Sequence, residues 1–136
     1  MSLLDQLPHQ PPMRLLDDVA DVVAGEHAIG RRLTDASDFY FQGHFPGQPI
    51  VPAVILIEML AQTGGIAAAA MDGAAVPRQL RVAAIGPFKF PAAAGPGQLL
   101  EARARVAGRL GPMVKIEGEV TADGRTVATG SLTLAG

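Results

Sequence analysis

The chain has 136 residues, 49% hydrophobic and 18% charged, a balance that excludes a disordered tail and predicts one globular domain over 1–136. A net charge of −2 leaves no basic footprint for nucleic acid. With no cysteine, disulfides and thiolate metal sites are excluded.

The opening, MSLLDQLPHQPPMRLLDD, has no basic region followed by a long apolar run, so no signal peptide is expected and a cytoplasmic, soluble protein is predicted. Within it LLDQL predicts a short helix, stopped by Pro8 and the Pro11–Pro12 pair. MRLLDDVADVVAG and EHAIGRRLT then read as two strands joined near Gly25. The next segment, TDASDFYFQGHFPGQPIVP, holds too many turn formers for a regular element. It is expected to be a long ordered loop, the kind that carries function.

Pro52 suits the first turn of a helix, where its missing N–H costs little. That helix is predicted from about 52 to 71, ending near Asp72–Gly73, and its apolar residues fall on every face, predicting burial all round. The stretch 53–71 is the most lipid-like of the chain, but Glu58, Gln62, Gly64 and Gly65 interrupt it, so no membrane span is expected. Three further strands are predicted over 98–108, 112–121 and 125–134, separated by GRLGP and by a tight turn at Asp123–Gly124. The pattern predicts an α+β domain, an antiparallel sheet wrapped around one helix, with an open edge that invites a second copy.

The chemistry concentrates in GHFPGQPIVPAVILIEMLAQ, residues 43–62. His44 has the side chain suited to proton transfer near neutral pH, although a loop histidine often only hydrogen-bonds nearby backbone. Glu58 sits among Ile55, Leu56, Ile57, Met59 and Leu60, where burial favours the protonated form and a general-acid role, or else demands a buried structural donor. Gln62, one turn further on, is placed to hold the Glu58 carboxyl in either case. Prolines 46, 49 and 52 stiffen the approach to the helix. The first N–H groups of that helix, at Ala53 and Val54, are placed to receive an oxygen that gains anionic character.

GHFPGQPIVPAVILIEMLAQTGG resembles the active-site segment of the 3-hydroxyacyl-[acyl-carrier-protein] dehydratases of type II fatty acid synthesis, in the form that uses Glu. LPHQPPMRLLDDV and FKFPAAAGPGQLLEARARV resemble the flanking motifs of the same family, so the likeness runs through most of the chain. The resemblance implies a hot-dog fold, a homodimer or trimer of dimers, and reversible dehydration of a (3R)-3-hydroxyacyl thioester to the trans-2-enoyl thioester. His44 matches the family's catalytic base and Glu58, fourteen residues on, its catalytic acid, with the two meeting across the subunit interface. No metal or organic cofactor is implied. The substrate would be carried on the phosphopantetheine of acyl carrier protein, the implied partner, or on coenzyme A.

The chain departs from that pattern at three places. Ala53 stands where the family usually has glycine facing the thioester, Gly86–Pro87 replace a polar and basic pair, and Gln98 replaces an aspartate. Arg78, Arg81 and Lys89 remain as candidate carrier contacts, His9 is assigned a structural role and His27 none beyond the surface. Two other functions fit the same fold: a thioesterase in which Glu58 activates water, and a non-catalytic acyl-binding or partner subunit.

Overall fold

The computed structural model describes residues 3–72 and 80–136. A 3-10 turn over Leu3–Gln6 precedes strands β1 (Asp18–Val23) and β2 (His27–Leu33), and a second short 3-10 turn, Phe39–Phe41, lies inside the long loop. Helix α1 runs over Ala53–Asp72, followed by β3 (Arg81–Lys89), β4 (Leu99–Leu110), β5 (Met113–Ala122) and β6 (Arg125–Ala135). The six strands form one antiparallel sheet in the order β1-β2-β4-β5-β6-β3. The sheet curls around α1 in the hot-dog arrangement that the sequence predicts.

Alternation explains the core. Along β4, Leu100, Ala102 and Ala104 face inward, and along β5, Val114, Ile116 and Val120 do the same, meeting Leu56, Met59, Leu60 and Ile66 of α1. Pro52 stands one residue before the helix, and its carbonyl accepts the N–H groups of Ile55 (2.9 Å) and Leu56 (3.4 Å). It therefore acts as the N-cap residue rather than as the first helical one.

Two expectations are corrected. Helix α1 is not buried on all sides by its own chain: Ala53 and Val54 are exposed, Val54 by 70%, and Ile57, Glu58, Gly65 and Ala69 are only half-buried. These residues recur at helical spacing and form a stripe that the curled sheet leaves uncovered. The second correction is a strand that the sequence reading missed, β3. Its Gly86–Pro87 pair argues against a strand, yet pairing with β6 jumps from Ile85↔Leu132 to Phe88↔Gly130, so both residues fall in a bulge. Proline is tolerated there because β3 is an edge strand, with a ladder on one side only. Glycine also fits closely there: a Cβ at Gly86 would lie 2.4 Å from the Ser131 Oγ and 3.2 Å from the Ser131 carbonyl oxygen, so a side chain would force the serine to turn away.

Candidate active site

The loop that holds His44 is built from backbone hydrogen bonds. Phe45 and Gln48 exchange two of them (3.0 and 2.9 Å), the His44 N–H donates to Phe41 O (3.1 Å), and Ile50 N–H donates to His44 O (2.8 Å). Gly43 and Gly47 take φ of 79° and 75°, a left-handed conformation that excludes most side chains, which is why GHFPG has glycine on both sides of the histidine. The loop is tied to the body of the protein where Val51 N–H donates to Ala94 O (2.8 Å).

The His44 ring is half-buried and stacks on Phe45 with centroids 4.3 Å apart. Its Nδ1 lies 3.0 Å from Ile50 O. A carbonyl can only accept, so Nδ1 carries the proton and Nε2 of the neutral ring keeps a free lone pair. That tautomer is the one a base needs.

An ion-pair network fixes the stem of the same loop. Arg32 of β2 reaches Asp17 Oδ1 (2.7 Å) and Asp38 Oδ1, while Tyr40 Oη donates to Asp38 Oδ2 (2.7 Å). Burial would pull the Arg32 guanidinium down, but its bonds to Asp17 and Tyr40 and the charges of Asp17 and Asp38 hold it above its ordinary value. Burial pushes the Tyr40 phenol up, and its bond to Asp38 adds to that.

Glu58 is less enclosed than its apolar neighbours suggest, with 25% of its side chain exposed. It lies on the uncovered stripe of α1, so the full desolvation expected from the sequence is absent in the single chain. Gln62, only 1% exposed, donates from Nε2 to Glu58 Oε2 at 3.0 Å, as its one-turn spacing predicts. Two long-range bonds lock that amide: Leu15 N–H donates to its Oε1 (3.0 Å), and its Nε2 also donates to Met13 O (2.7 Å). Glu58 has a further partner that no local pattern in the sequence marks. His9 Nε2 stands 3.2 Å from Glu58 Oε2. LPH and the acidic helix position are 49 residues apart in sequence, and nothing local links them.

Glu58 and His9 line a cavity of about 180 Å³ together with Ala61, Leu80, Arg81, Val82 and Leu134. His44 does not line it, and among the described residues no hydrogen bond or ion pair joins His44 to Glu58 within the chain. Ala53 and Val54, the first residues of α1, are exposed, and their N–H groups have no preceding turn to donate to. Ala53 is absent from the positive-φ residues, so its methyl meets no backbone objection.

The other departures have local explanations. Gln98 Oε1 accepts the Gly95 N–H (2.7 Å) and its backbone pairs with Thr34, so it caps the turn before β4. Arg81 borders the Glu58 cavity and Lys89 is exposed at the other end of β3. Arg78 lies outside the described residues. His27 is an exposed residue of β2. Among the described residues no cluster suited to a metal ion occurs, and no helix is long and apolar enough to cross a membrane.

A family profile described as FabA-like domain matches residues 7–131. Two curated relatives are both named 3-hydroxyacyl-[acyl-carrier-protein] dehydratase FabZ. The protein of Syntrophotalea carbinolica is 31% identical over 132 residues, covering 97% of this chain and 90% of the relative. That of Nitrobacter hamburgensis is 35% identical over 128 residues, covering 93% and 85%. Among solved structures, the dehydratase heterocomplex ApeI:P from Xenorhabdus doucetiae superposes with a TM-score of 0.83 at 21% identity, covering 99% of this chain and 90% of that one. The E. coli PaaI protein superposes with a TM-score of 0.66 at 16% identity, covering 88% and 82%. At such identities these two likenesses speak for the fold.

Proposed function

The chain belongs to the FabA-like domain family, and from that premise we propose that it is a hydro-lyase, a 3-hydroxyacyl-[acyl-carrier-protein] dehydratase, with His44 as base and Glu58 as acid. One observation carries the assignment of roles: the Nδ1–H of His44 is committed to Ile50 O, leaving Nε2 as a lone-pair base on a stiff loop.

In this reading the substrate is a (3R)-3-hydroxyacyl group on the phosphopantetheine of acyl carrier protein. His44 Nε2 takes the Cα proton. The electron pair left behind is shared with the thioester oxygen, which receives the N–H groups of Ala53 and Val54. As the Cα=Cβ bond forms, the Cβ–O bond breaks and Glu58 protonates the departing hydroxyl, so water leaves and the trans-2-enoyl thioester remains. Gln62 holds the Glu58 carboxyl through this cycle. Neither step calls for a metal or an organic cofactor.

His44 and Glu58 have no direct contact inside one chain, so the reading places His44 of one protomer opposite Glu58 of the partner subunit. The Glu58 cavity supports this. Leu80, just before edge strand β3, and Arg81 and Val82, its first two residues, wall it, and Ile85 of the same strand is 57% exposed. A second copy paired along that edge would bring its loop to the cavity.

The test follows enoyl absorbance and free thiol together on a 3-hydroxyacyl thioester. Enoyl formation without thiol release is expected, falling about a hundredfold or more in His44→Ala and Glu58→Gln. Thiol release alone would establish thioester hydrolysis instead, and tight acyl binding with neither signal would establish a binding subunit.

A further inference from the structure

We infer that His9 is a positioning residue for Glu58: with Gln62 it saturates Oε2, so that the proton Glu58 delivers is carried on Oε1. The inference rests on the reading of Glu58 as the acid.

The argument starts from two donors on one oxygen. His9 Nε2 and Gln62 Nε2 lie 3.2 and 3.0 Å from the same atom, Glu58 Oε2. A carboxyl oxygen has two in-plane lone pairs, and two donors fill them. Oε1 has no donor among the described residues.

The Gln62 donor cannot be exchanged for an acceptor. Turning the amide over would face its NH₂ toward the Leu15 N–H and its oxygen toward Met13 O, breaking both long-range bonds. The tautomer of His9 follows from a second observation. Its Nδ1 is buried and has no hydrogen-bond partner. A proton there would be a buried N–H without an acceptor, and would leave the Nε2 lone pair facing Oε2. A proton on Nε2 gives Oε2 its second donor instead. The backbone of His9 is itself held, since Arg14 Nε donates to His9 O at 3.0 Å. The N-terminal segment thus contributes a fixed N–H to the carboxyl of a helix 49 residues away in sequence.

With Oε2 saturated, a proton added to Glu58 finds a vacant site only on Oε1. The carboxyl then has one donating oxygen and one anchored oxygen, and cannot rotate without losing both anchors. Such fixation acts on the chemical step rather than on substrate binding.

Four variants of the full chain test this: His9→Phe, His9→Gln, Glu58→Gln and the double variant His9→Phe/Glu58→Gln, with steady-state rates on a 3-hydroxyacyl thioester. His9→Phe is expected to lower kcat about tenfold with KM changed by less than about twofold. His9→Gln, whose side-chain amide can present an N–H near the same place, is expected to restore kcat to within about threefold of the parent. In the double variant, loss of His9 is expected to add nothing to loss of the carboxyl, because the two act as one unit. Should His9→Phe fail to fold, His9→Asn, one bond too short to reach Oε2, carries the same expectation. An unchanged kcat in His9→Phe beside a crippled Glu58→Gln would overturn the positioning role alone. So would equal losses in His9→Phe and His9→Gln, or losses that multiply in the double variant. A Glu58→Gln variant with parental kcat would overturn the acid assignment, and the role of His9 with it.

Discussion

Gln62→Leu separates the structural duty of the Gln62 amide from the catalytic one proposed for it. The substitution removes three hydrogen bonds: the one Gln62 accepts from Leu15 N–H and those it donates to Met13 O and Glu58 Oε2. Leu15 is 3% exposed, so its N–H is left buried without an acceptor, at a cost of about 1–3 kcal/mol. The bond to Met13 O is only part-buried and Met13 is 44% exposed, so that loss is expected to add less. The new methyl groups are buried, as Gln62 is, and offset part of the deficit, leaving a net loss of about 2 kcal/mol. For a chain of this size about 3–4 °C of melting temperature accompanies each kcal/mol, so Tm is expected to fall by about 7 °C. Thermal unfolding followed by circular dichroism reads the first effect. The second is catalytic: Glu58 keeps only the His9 donor, and kcat is expected to fall about tenfold at a temperature where the variant is fully folded. A Tm within about 1 °C of the parent would refute the reasoning about the buried N–H. A destabilised variant with unchanged kcat would show that the amide serves the fold and not the carboxyl.

Arg32→Met leaves the Asp38 carboxylate with hydrogen bonds but no cation; because Arg32 itself is partly exposed, the cost is expected at about 1–3 kcal/mol in urea unfolding. An unchanged midpoint would show that the ion pair is only a surface contact. Asp35 accepts hydrogen bonds from the Ser37 hydroxyl and backbone N–H, which hold its carboxyl below its ordinary value. A lowered folded-state pKa stabilises the fold above the ordinary carboxylate range, and that contribution disappears as pH falls through the lowered value. Ser37→Ala is therefore expected to move the Asp35 titration upward in carboxyl-resolved NMR, and a titration that stays in place would assign the shift to the backbone bond alone. Ile85→Glu puts a charge on the exposed edge strand and is expected to slow sedimentation toward that of a monomer and to remove dehydratase activity in parallel. A variant that sediments as a monomer and stays fully active would refute a site shared between subunits.

Much of the fold could be read along the chain because it rests on local chemistry. Proline before an apolar run starts α1, Asp123–Gly124 turns β5 into β6, and alternating apolar residues mark β4, β5 and β6. GHFPG likewise announces a fixed loop, since two glycines and a proline restrict the backbone around His44 whatever surrounds them. Tertiary structure alone decided what depends on neighbours distant in sequence. Strand β3 exists because the edge of the sheet tolerates Pro87 in a bulge, a permission that no local pattern expresses. Glu58 is a quarter exposed because the curl of the sheet leaves a stripe of α1 uncovered, although every adjacent side chain is apolar. The anchoring of that carboxyl needs His9, Met13 and Leu15 to arrive beside Gln62, and only the folded chain brings an N-terminal segment against the middle of a helix. Backbone preference acts within a few residues and is written in the sequence; desolvation and hydrogen-bond partnership belong to whatever the fold places within about 3 Å.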